Sequence, residues 1–217
     1  YSPFGQWQDI LELKGLQFIN LQYGDRPAQA LPAIRTIAGV NANIIRLQLR
    51  RNTTAAQLKT ALDEAVRNRM PVMVMFWEKD ITCESDSAVL RRDVQDLWLS
   101  RWAGVLSADK YQPYLLLNIA NEWGTSKDGY ADYMATYTDL IMSMRVRGYR
   151  MPLVIDAADC GQNTDSFLDG RAEALLATDP AHNLVVSVHA YNKPWNSHEK
   201  IDANIAALKK TGVAFAG

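Results

Sequence analysis

A chain of 217 residues, of which 48% are hydrophobic and 22% are charged, can bury a large core, and this composition excludes a disordered protein. The formal net charge of −1 argues against a nucleic-acid partner, because proteins that bind phosphate-rich polymers usually present a strongly basic face. No apolar run approaches the roughly 20 residues that a membrane-spanning helix needs, so no membrane partner is predicted either.

Short apolar stretches alternate with longer amphipathic stretches along the whole chain, and no linker separates them. The predicted strands, in chain order, are residues 16–23, 43–49, 71–77, 114–122, 152–158, 184–191 and 212–217. Helices are predicted between them from apolar residues at helical spacing, and they begin near Asp25, Thr53 or Thr54, Asp86, Tyr130, Asp165 and Ile201, the fifth covering residues 165–178. Strands and helices that alternate in this way indicate parallel strands joined by right-handed crossovers within a single domain, residues 1–217.

Two arrangements of such units are possible, a doubly wound sheet and a closed barrel. No glycine-rich phosphate loop follows any predicted strand, which argues against a nucleotide-binding doubly wound sheet. In the second strand Ile45, Leu47 and Leu49 share one face, whereas Ile44, Arg46 and Gln48 share the other. Polar residues therefore gather on one side of the strands, as they do inside a barrel that opens into an active site. The predicted fold is α/β, a (β/α)8 TIM-type barrel.

The barrel predicted from this chain is incomplete. The chain provides six strand-helix units and a seventh strand, whereas a complete barrel typically needs about 250 residues. Its first and seventh strands would present unpaired edges, which are an aggregation hazard. We therefore expect the domain to be truncated before the end of the seventh strand, with a missing segment or a second chain closing the barrel.

One carboxylate lies where a barrel keeps its chemistry. The apolar strand 114–122 runs directly into Asn121 and Glu122, and the carboxyl ends of the strands carry the active site of barrel enzymes. His189 and Tyr191 lie two residues apart and so share one strand face. Alternatively, Glu122 could be an exposed loop carboxylate, Arg46 a structural ion-pair partner, and His189 and Tyr191 hydrogen-bonded interior residues. No His-x-His or cysteine cluster suggests a metal, and no cofactor is predicted.

Four segments in chain order carry a resemblance to a known family. They are GVNANIIR at residues 39–46, LNIANEWG at 117–124, VIDAA at 154–158 followed by Gly161 and Gln162, and SVHAY at 187–191. Together they resemble glycoside hydrolase family 5, most closely its bacterial β-mannanase branch, over residues 16–217.

The resemblance implies an eight-stranded barrel that hydrolyses β-1,4-linked polysaccharide with retention of configuration. Such enzymes need two carboxyl groups about 5–5.5 Å apart, one as acid/base and one as nucleophile. The family pattern puts the acid/base at Glu122 and the nucleophilic Glu at the end of the seventh strand, where this chain stops at Gly217. No nucleophile can therefore be assigned, and the 217-residue polypeptide is expected to have little or no activity.

Further roles follow from the same resemblance. Asn121 would bond the sugar 2-hydroxyl, Arg46 would orient the nucleophile, and His189 and Tyr191 would complete the polar ring. The aromatic residues Trp77, Trp123 and Trp195 fall at or beyond strand ends and could stack on sugar rings, whereas Trp98 and Trp102 are predicted packing residues on a helix.

The chain also departs from the family pattern after the third strand. The mannanase branch usually carries His-Asp followed by Thr-Gly at this place. Asp80 and Thr82 match this pattern, but Glu78 or Lys79 stands at the His position, so the substrate contacts there are in doubt.

The predicted function is that of a secreted endo-β-1,4-mannanase acting on plant cell-wall polysaccharide. The alternatives are a cellulase-type endo-β-1,4-glucanase and a non-catalytic carbohydrate-binding barrel. The sequence does not decide whether Cys83 and Cys160 remain thiols or form a disulfide, which would favour secretion.

Overall fold

Seven parallel strands form one sheet in the order of the chain. The computed structural model describes residues 18–22, 27–40 and 42–217. The strands are β1 (Phe18–Gln22), β2 (Ile44–Leu49), β3 (Val72–Phe76), β4 (Leu115–Asn118), β5 (Leu153–Asp156), β6 (Leu184–Ser187) and β7 (Ala214–Ala216). Each pairs in parallel with the next, which confirms the predicted incomplete α/β barrel. Within the described ranges no further strand adjoins β1 or β7.

The strands are shorter than the apolar stretches predict. The ladder of β4 ends at Asn118, four residues before Glu122, because the chain there leaves the sheet for a loop at the barrel mouth. Several predicted positions lie outside the described residues. They are strand residues 16, 17 and 23, the helix start at Asp25, and residue 41 of the first family segment.

Helices lie between the strands. They are α1 (Pro27–Ala38), α2 (Ala55–Arg67), α3 (Ser87–Asp93), α4 (Ala103–Leu106), α5 (Ala131–Val146), α6 (Arg171–Thr178) and α7 (His198–Lys210), with a π-helical segment Val94–Arg101 between α3 and α4. The predicted helix over residues 165–178 is in fact a 3-10 turn, Thr164–Phe167, followed by α6. The helix is interrupted because Asp169 and Gly170 adopt left-handed φ values of 52° and 83°.

Two helix starts follow directly from capping residues in the sequence. Thr54 caps α2 in a capping box, since its hydroxyl accepts from the Gln57 N–H at 3.2 Å and the Gln57 side chain accepts from the Thr54 N–H at 2.9 Å. Asp86 caps α3 through the N–H groups of Ala88 and Val89. These local bonds fix where the chain turns away from the ends of β2 and β3.

The barrel interior changes from apolar to polar along the strands. One interior layer consists of Ile44, Met73, Leu116, Val154 and Val185, one residue from each of the strands β2 to β6. Because strand residues two apart share a face, the next layer toward the carboxyl ends contains one apolar residue, Met75, and four polar ones, Arg46, Asn118, Asp156 and Ser187. The opposite face of the sheet packs against the helices, and the predicted packing residues Trp98 and Trp102 are fully buried there. None of the described helices is long and apolar enough to cross a bilayer.

Candidate active site

Glu122 is fixed by its backbone on both sides. Its N–H donates to Asp156 Oδ2 at 3.0 Å, and its carbonyl oxygen accepts from the Cys83 N–H at 3.0 Å. It adopts a left-handed φ of 53°, which costs a non-glycine residue roughly 1–2 kcal/mol. The two backbone bonds hold the strained residue at the carboxyl end of β4.

The Glu122 side chain is held by neighbouring strand ends. Its Oε1 lies 2.5 Å from His189 Nδ1 and accepts from the Tyr191 hydroxyl at 2.7 Å. Its Oε2 lies 3.6 Å from the Cys83 sulfur, a contact without a proton because this sulfur is part of a disulfide. With 12% of the side chain exposed, the carboxylate is both ordered and accessible.

His189 bridges two carboxylates. Its Nε2 lies 3.2 Å from Asp156 Oδ2, opposite the nitrogen that contacts Glu122. Burial disfavours the charged imidazole, but the field of Asp156 and the hydrogen bonds to both carboxylates outweigh burial and raise the pKa of His189 to about 9. At neutral pH the ring is therefore an imidazolium that donates from both nitrogens.

Asp156 is the buried centre of this cluster. Its side chain is 1% exposed, and its Oδ1 accepts from Asn118 Nδ2 at 2.9 Å. Arg46 Nη2 lies 3.9 Å from Oδ2. Burial by itself would raise the pKa of Asp156, but the charges of His189 and Arg46 and the hydrogen bonds from His189 and the Glu122 N–H lower it below its ordinary value. The sequence motif included Asp156 but gave it no role. A signal was available, because Asp156 lies two residues after the inward-facing Val154, just as Arg46 lies two residues after the inward-facing Ile44.

Asn121 and Arg46 are joined by a hydrogen bond. Arg46 Nη2 donates to Asn121 Oδ1 at 2.7 Å, and Asn121 Nδ2 donates to Thr82 Oγ1 at 3.2 Å. The Asn121 N–H also donates to the carbonyl of Phe76 at the end of β3. Strands β2, β3 and β4 therefore jointly fix the amide beside Glu122.

Tyr191 lies at the open side of the cluster. Its side chain is exposed, and its hydroxyl is also 3.2 Å from the Cys160 carbonyl oxygen. Partial burial and the hydrogen bond to Glu122 raise the pKa of Tyr191 to about 12, so it stays a neutral donor. The exposed ring borders the mouth.

The three predicted sugar-stacking tryptophans differ in exposure. Trp77 is partly exposed, and the Arg50 guanidinium lies 4.5 Å from the centre of its ring. Trp123 is fully buried and stacks on Tyr133 with ring centres 6.4 Å apart. Trp195 is 5% exposed, and its indole N–H donates to the Gln162 carbonyl. The prediction that Trp123 and Trp195 present rings to a sugar is therefore wrong, because both rings turn into the core.

The loop after β3 shows what replaces the family's histidine. Glu78 accepts from Arg50 Nε at 3.1 Å and from the Arg51 N–H at 2.8 Å, so its carboxylate is used within the loop. Lys79 and Asp80 are exposed, and Asp80 pairs with Arg51 at 2.8 Å. Of the polar residues that follow, Thr82 contacts Asn121 beside Glu122.

Cys83 and Cys160 form a disulfide, with Cα atoms 4.4 Å apart. The bond joins the loop after β3 to the loop after β5, and so spans the end of β4 between them. This decides the question that the sequence left open.

No second accessible carboxylate lies beside Glu122 among the described residues. Asp156 is the other acidic side chain of the cluster, and it is sealed behind His189. Nor does this part of the chain hold a group of three or more His, Cys, Asp or Glu side chains suited to a metal ion. The site can thus hold one accessible proton-transfer group with a charged histidine and a phenol as its supports.

The chain is similar to characterised proteins over most of its length. A family model described as cellulase, glycosyl hydrolase family 5, matches residues 10–215. A mannan endo-1,4-beta-mannosidase of Salipaludibacillus agaradhaerens is 28% identical over 198 residues, covering 89% of this chain and 61% of that protein. A protein of the same name from Cellvibrio japonicus is 24% identical over 178 residues, covering 80% of this chain and 40% of that protein. The chain thus spans less than two thirds of either relative.

Solved structures share the fold. The β-mannanase of Thermomonospora fusca in complex with mannotriose has a TM-score of 0.80 at 22% identity, covering 92% of this chain and 67% of that one. A variant endo-β-1,4-glucanase of Xanthomonas axonopodis pv. citri has a TM-score of 0.61 at 17% identity, covering 85% and 67%. Since the family model spans nearly the whole sequence, the chain belongs to glycoside hydrolase family 5.

Proposed function

We propose that this chain forms most of the catalytic barrel of a retaining endo-β-1,4-mannanase that acts on the mannan of plant cell-wall polysaccharide. The observation that carries the proposal is the placement of Glu122 at the end of β4, with its Oε1 between His189 and Tyr191. The mannan endo-1,4-beta-mannosidases among its relatives support the choice of mannan.

In the first step Glu122 protonates the glycosidic oxygen while the bond from that oxygen to the anomeric carbon breaks. A nucleophilic carboxylate bonds to the anomeric carbon at the same time. Loss of its proton leaves Glu122 charged, and the donors of His189 and Tyr191 at 2.5 and 2.7 Å stabilise that charge. In the second step Glu122 takes a proton from the water that releases the sugar.

Asn121 is proposed to bind the sugar beside the cleaved bond. Its Oδ1 accepts from Arg46 and its Nδ2 donates to Thr82, so the orientation of the amide is fixed before substrate arrives. A hydrogen bond to the sugar 2-hydroxyl strengthens in the oxocarbenium-like transition state. Mannan and glucan differ in the orientation of this hydroxyl, so Asn121 is also the proposed discriminator.

The nucleophile is the part of the proposal that rests on the family resemblance alone. It places this group at the end of the seventh strand, and no described residue is assigned to it. Tests of hydrolysis are therefore designed for the full-length protein, and tests of binding for the 217-residue polypeptide as well.

The test is release of reducing ends from β-mannan and from a soluble β-1,4-glucan. We expect turnover of mannan and a 100- to 10,000-fold lower rate for Glu122→Gln, about the contribution of a general acid/base. Glu84→Gln is the matched control, because Glu84 is exposed in the loop after β3 and none of the described contacts uses its side chain. Turnover of glucan alone would defeat the mannanase proposal, and wild-type rates in Glu122→Gln would remove Glu122 from the mechanism.

A non-catalytic carbohydrate-binding barrel is the second candidate. It is supported by the exposed ring of Tyr191 and the partly exposed ring of Trp77, on which a sugar can stack. Calorimetry with mannohexaose separates the two functions. Binding by the full-length protein without hydrolysis of any polymer, and with the same affinity in Glu122→Gln, would favour the binding module.

We also propose that the protein is extracellular. The Cys83–Cys160 disulfide supports this, because disulfides persist mainly in oxidising compartments. Fractionation of the native cells with an antibody against the barrel tests it, and a protein found only in the cytoplasm with reduced cysteines would contradict it.

A further inference from the structure

The Cys83–Cys160 disulfide lies directly against the carboxylate of Glu122. The Cys83 sulfur is 3.6 Å from Glu122 Oε2, the oxygen that neither His189 nor Tyr191 contacts. The two cysteines follow β3 and β5, the strands on either side of β4. The bond therefore closes a bridge over the strand that presents the proposed acid/base.

The Cys83 side of the bridge contacts the backbone of Glu122. The Cys83 N–H donates to the Glu122 carbonyl at 3.0 Å, and the Glu122 N–H is held by Asp156. Cys83 and Glu122 both adopt left-handed backbone, with φ of 63° and 53°. Such conformations persist in non-glycine residues only when the surrounding structure enforces them. A cross-link at Cys83 is one such constraint.

The Cys160 side contacts the two groups that hold the Glu122 side chain. The Cys160 carbonyl oxygen lies 3.2 Å from the Tyr191 hydroxyl oxygen, and the carbonyl of the next residue, Gly161, accepts from the His189 N–H at 2.7 Å. Cys160 also has a left-handed φ, of 59°. The same loop thus sets the positions of both side chains that bond to Glu122 Oε1.

We propose that the Cys83–Cys160 disulfide is a positioning element for proton transfer by Glu122, a role that rests on the proposed function. Breaking the bond frees two loops whose backbones are held in unfavourable conformations, and both loops contact Glu122 or its hydrogen-bond partners. Misplacement of a catalytic group by about 1 Å can cost on the order of 100-fold in rate. The bridge is open to reductants, since Cys83 is exposed and Cys160 is partly exposed.

The test compares the oxidised and the reduced full-length enzyme. Dithiothreitol supplies two electrons and two protons, so that the protein disulfide becomes two thiols and the reagent becomes its cyclic disulfide. The two forms are assayed on mannan, whose leaving group must be protonated, and on a 2,4-dinitrophenyl β-mannobioside, whose leaving group needs no proton. We expect kcat/KM for mannan to fall about 10- to 100-fold on reduction, and kcat/KM for the aryl substrate to change less than about 3-fold.

Variants separate positioning from general stability. The double substitution Cys83→Ser and Cys160→Ser should show the same dependence on leaving group as reduction. Leu208→Ala is the control, because it opens a cavity in the buried face of α7 and should lower the melting temperature without changing the ratio of the two kcat/KM values. If the serine variant fails to fold, the chemically reduced enzyme, with its fold checked by circular dichroism and its thiols counted by alkylation, provides the same comparison.

Three outcomes would overturn the proposal. The first is an unchanged kcat/KM for mannan after both thiols have been alkylated. The second is an equal loss of kcat/KM on mannan and on the aryl substrate when the disulfide is reduced. The third is a loss of kcat/KM in Leu208→Ala that depends on the leaving group in the same way. If the oxidised full-length protein hydrolyses neither substrate, the proposed function fails separately. The ring signal of His189 in the full-length protein then decides whether the bridge positions Glu122. Reduction should lower the pKa of His189 as Glu122 moves away, and an unchanged titration would overturn the positioning role.

Discussion

The imidazole of His189 lies 3.2 Å from the carboxylate of Asp156, and only 1% of that carboxylate is exposed. A buried carboxylate is costly unless it is paired, and this pairing keeps the histidine charged at neutral pH. The same imidazolium contacts Glu122 at 2.5 Å. The positive charge on His189 that supports the proposed acid/base therefore depends on Asp156, a residue that does not reach the mouth of the barrel.

Removing the charge of Asp156 should make the imidazole of His189 neutral at pH 7. In Asp156→Asn the amide keeps the shape of the side chain but not its field, so we expect the pKa of His189 to fall from about 9 to near or below its ordinary value of about 6.5. The free energy of unfolding at pH 7 should drop by about 3 kcal/mol, as for other broken buried pairs. NMR titration of the histidine rings and urea unfolding measure the two effects.

Asp109→Asn is the control for that substitution. Asp109 pairs with Arg150 on the surface, where 90% of its side chain is exposed, so its loss should cost less than about 1 kcal/mol. A His189 pKa that stays near 9 in Asp156→Asn would show that another group holds the charge.

The stability of the folded protein should depend on pH through His189. Because the pKa of His189 in the folded protein is about 9 and lies above the unfolded value of about 6.5, its stabilisation is complete below about pH 6.5 and is lost as the pH rises through 9. The free energy of unfolding should therefore fall by up to about 3 kcal/mol across this window. Urea unfolding from pH 6 to 9.5 measures it.

The histidine variant provides the reference for this measurement. His189→Gln keeps a hydrogen-bonding side chain but cannot titrate, so its stability should change little over the same pH range. A wild-type curve that stays flat or rises between pH 6.5 and 9 would contradict the assignment of the charge to His189.

Gly161 has no room for a side chain. A Cβ at this position would lie 2.8 Å from His189 Cγ and 3.1 Å from Glu122 Cγ, and its φ is 75°. Gly161→Ala should cost about 3 kcal/mol of stability through strain and overpacking, and lower hydrolysis by the full-length protein about 100-fold by displacing Glu122. Thermal unfolding and the mannan assay measure these two effects.

Gly170→Ala is the matched control for Gly161→Ala. Gly170 has a similar φ of 83°, but no atom lies within 4 Å of its would-be Cβ. We expect about 1 kcal/mol of destabilisation from backbone strain and an unchanged rate. Equal rates in the two variants would mean that crowding at Gly161 does not reach the carboxylate.

The sequence predicts the strands and much of the site for a common physical reason. Apolar periodicity identifies the strands, and parallel strands bring their carboxyl ends to one edge, so Arg46, Glu122 and His189 were expected to meet. In the structure Glu122 contacts His189, and Arg46 contacts Asn121, the residue before Glu122. The roles proposed for these residues in hydrolysis stay predictions.

Residues beyond the strand ends were not predictable in the same way. The alternation of side-chain direction holds only within a strand, and β4 ends at Asn118, so nothing in the spacing showed that Trp123 would turn into the core. Asp156 lies within β5, but its partner His189 is 33 residues away and outside any strand, so its importance depends on a contact that periodicity does not encode. The pairing of Cys83 with Cys160 depends on loop paths in the same way.

A buried ion pair at the opposite end of the barrel gives a test of the fold that does not involve the site. Arg145 and Asp179 are 5% and 0% exposed and form two hydrogen bonds of 2.7 and 2.8 Å. Arg145 also donates to the carbonyls of Tyr149, Met151 and Asn183, so it ties the end of α5 to the segments that lead into β5 and β6.

Arg145→Ala should therefore destabilise the barrel strongly, since it leaves Asp179 charged and buried without its partner. We expect a loss of about 3–5 kcal/mol in urea unfolding. Arg145→Lys should recover only part of it, because an ammonium cannot form the paired bonds of a guanidinium. Arg150→Ala is the surface control, with 70% of its side chain exposed and an expected loss below about 1 kcal/mol. If Arg145→Ala and Arg150→Ala lower the free energy of unfolding equally, water reaches Asp179 in solution. The bottom of the barrel is then stabilised by its apolar layer rather than by this pair.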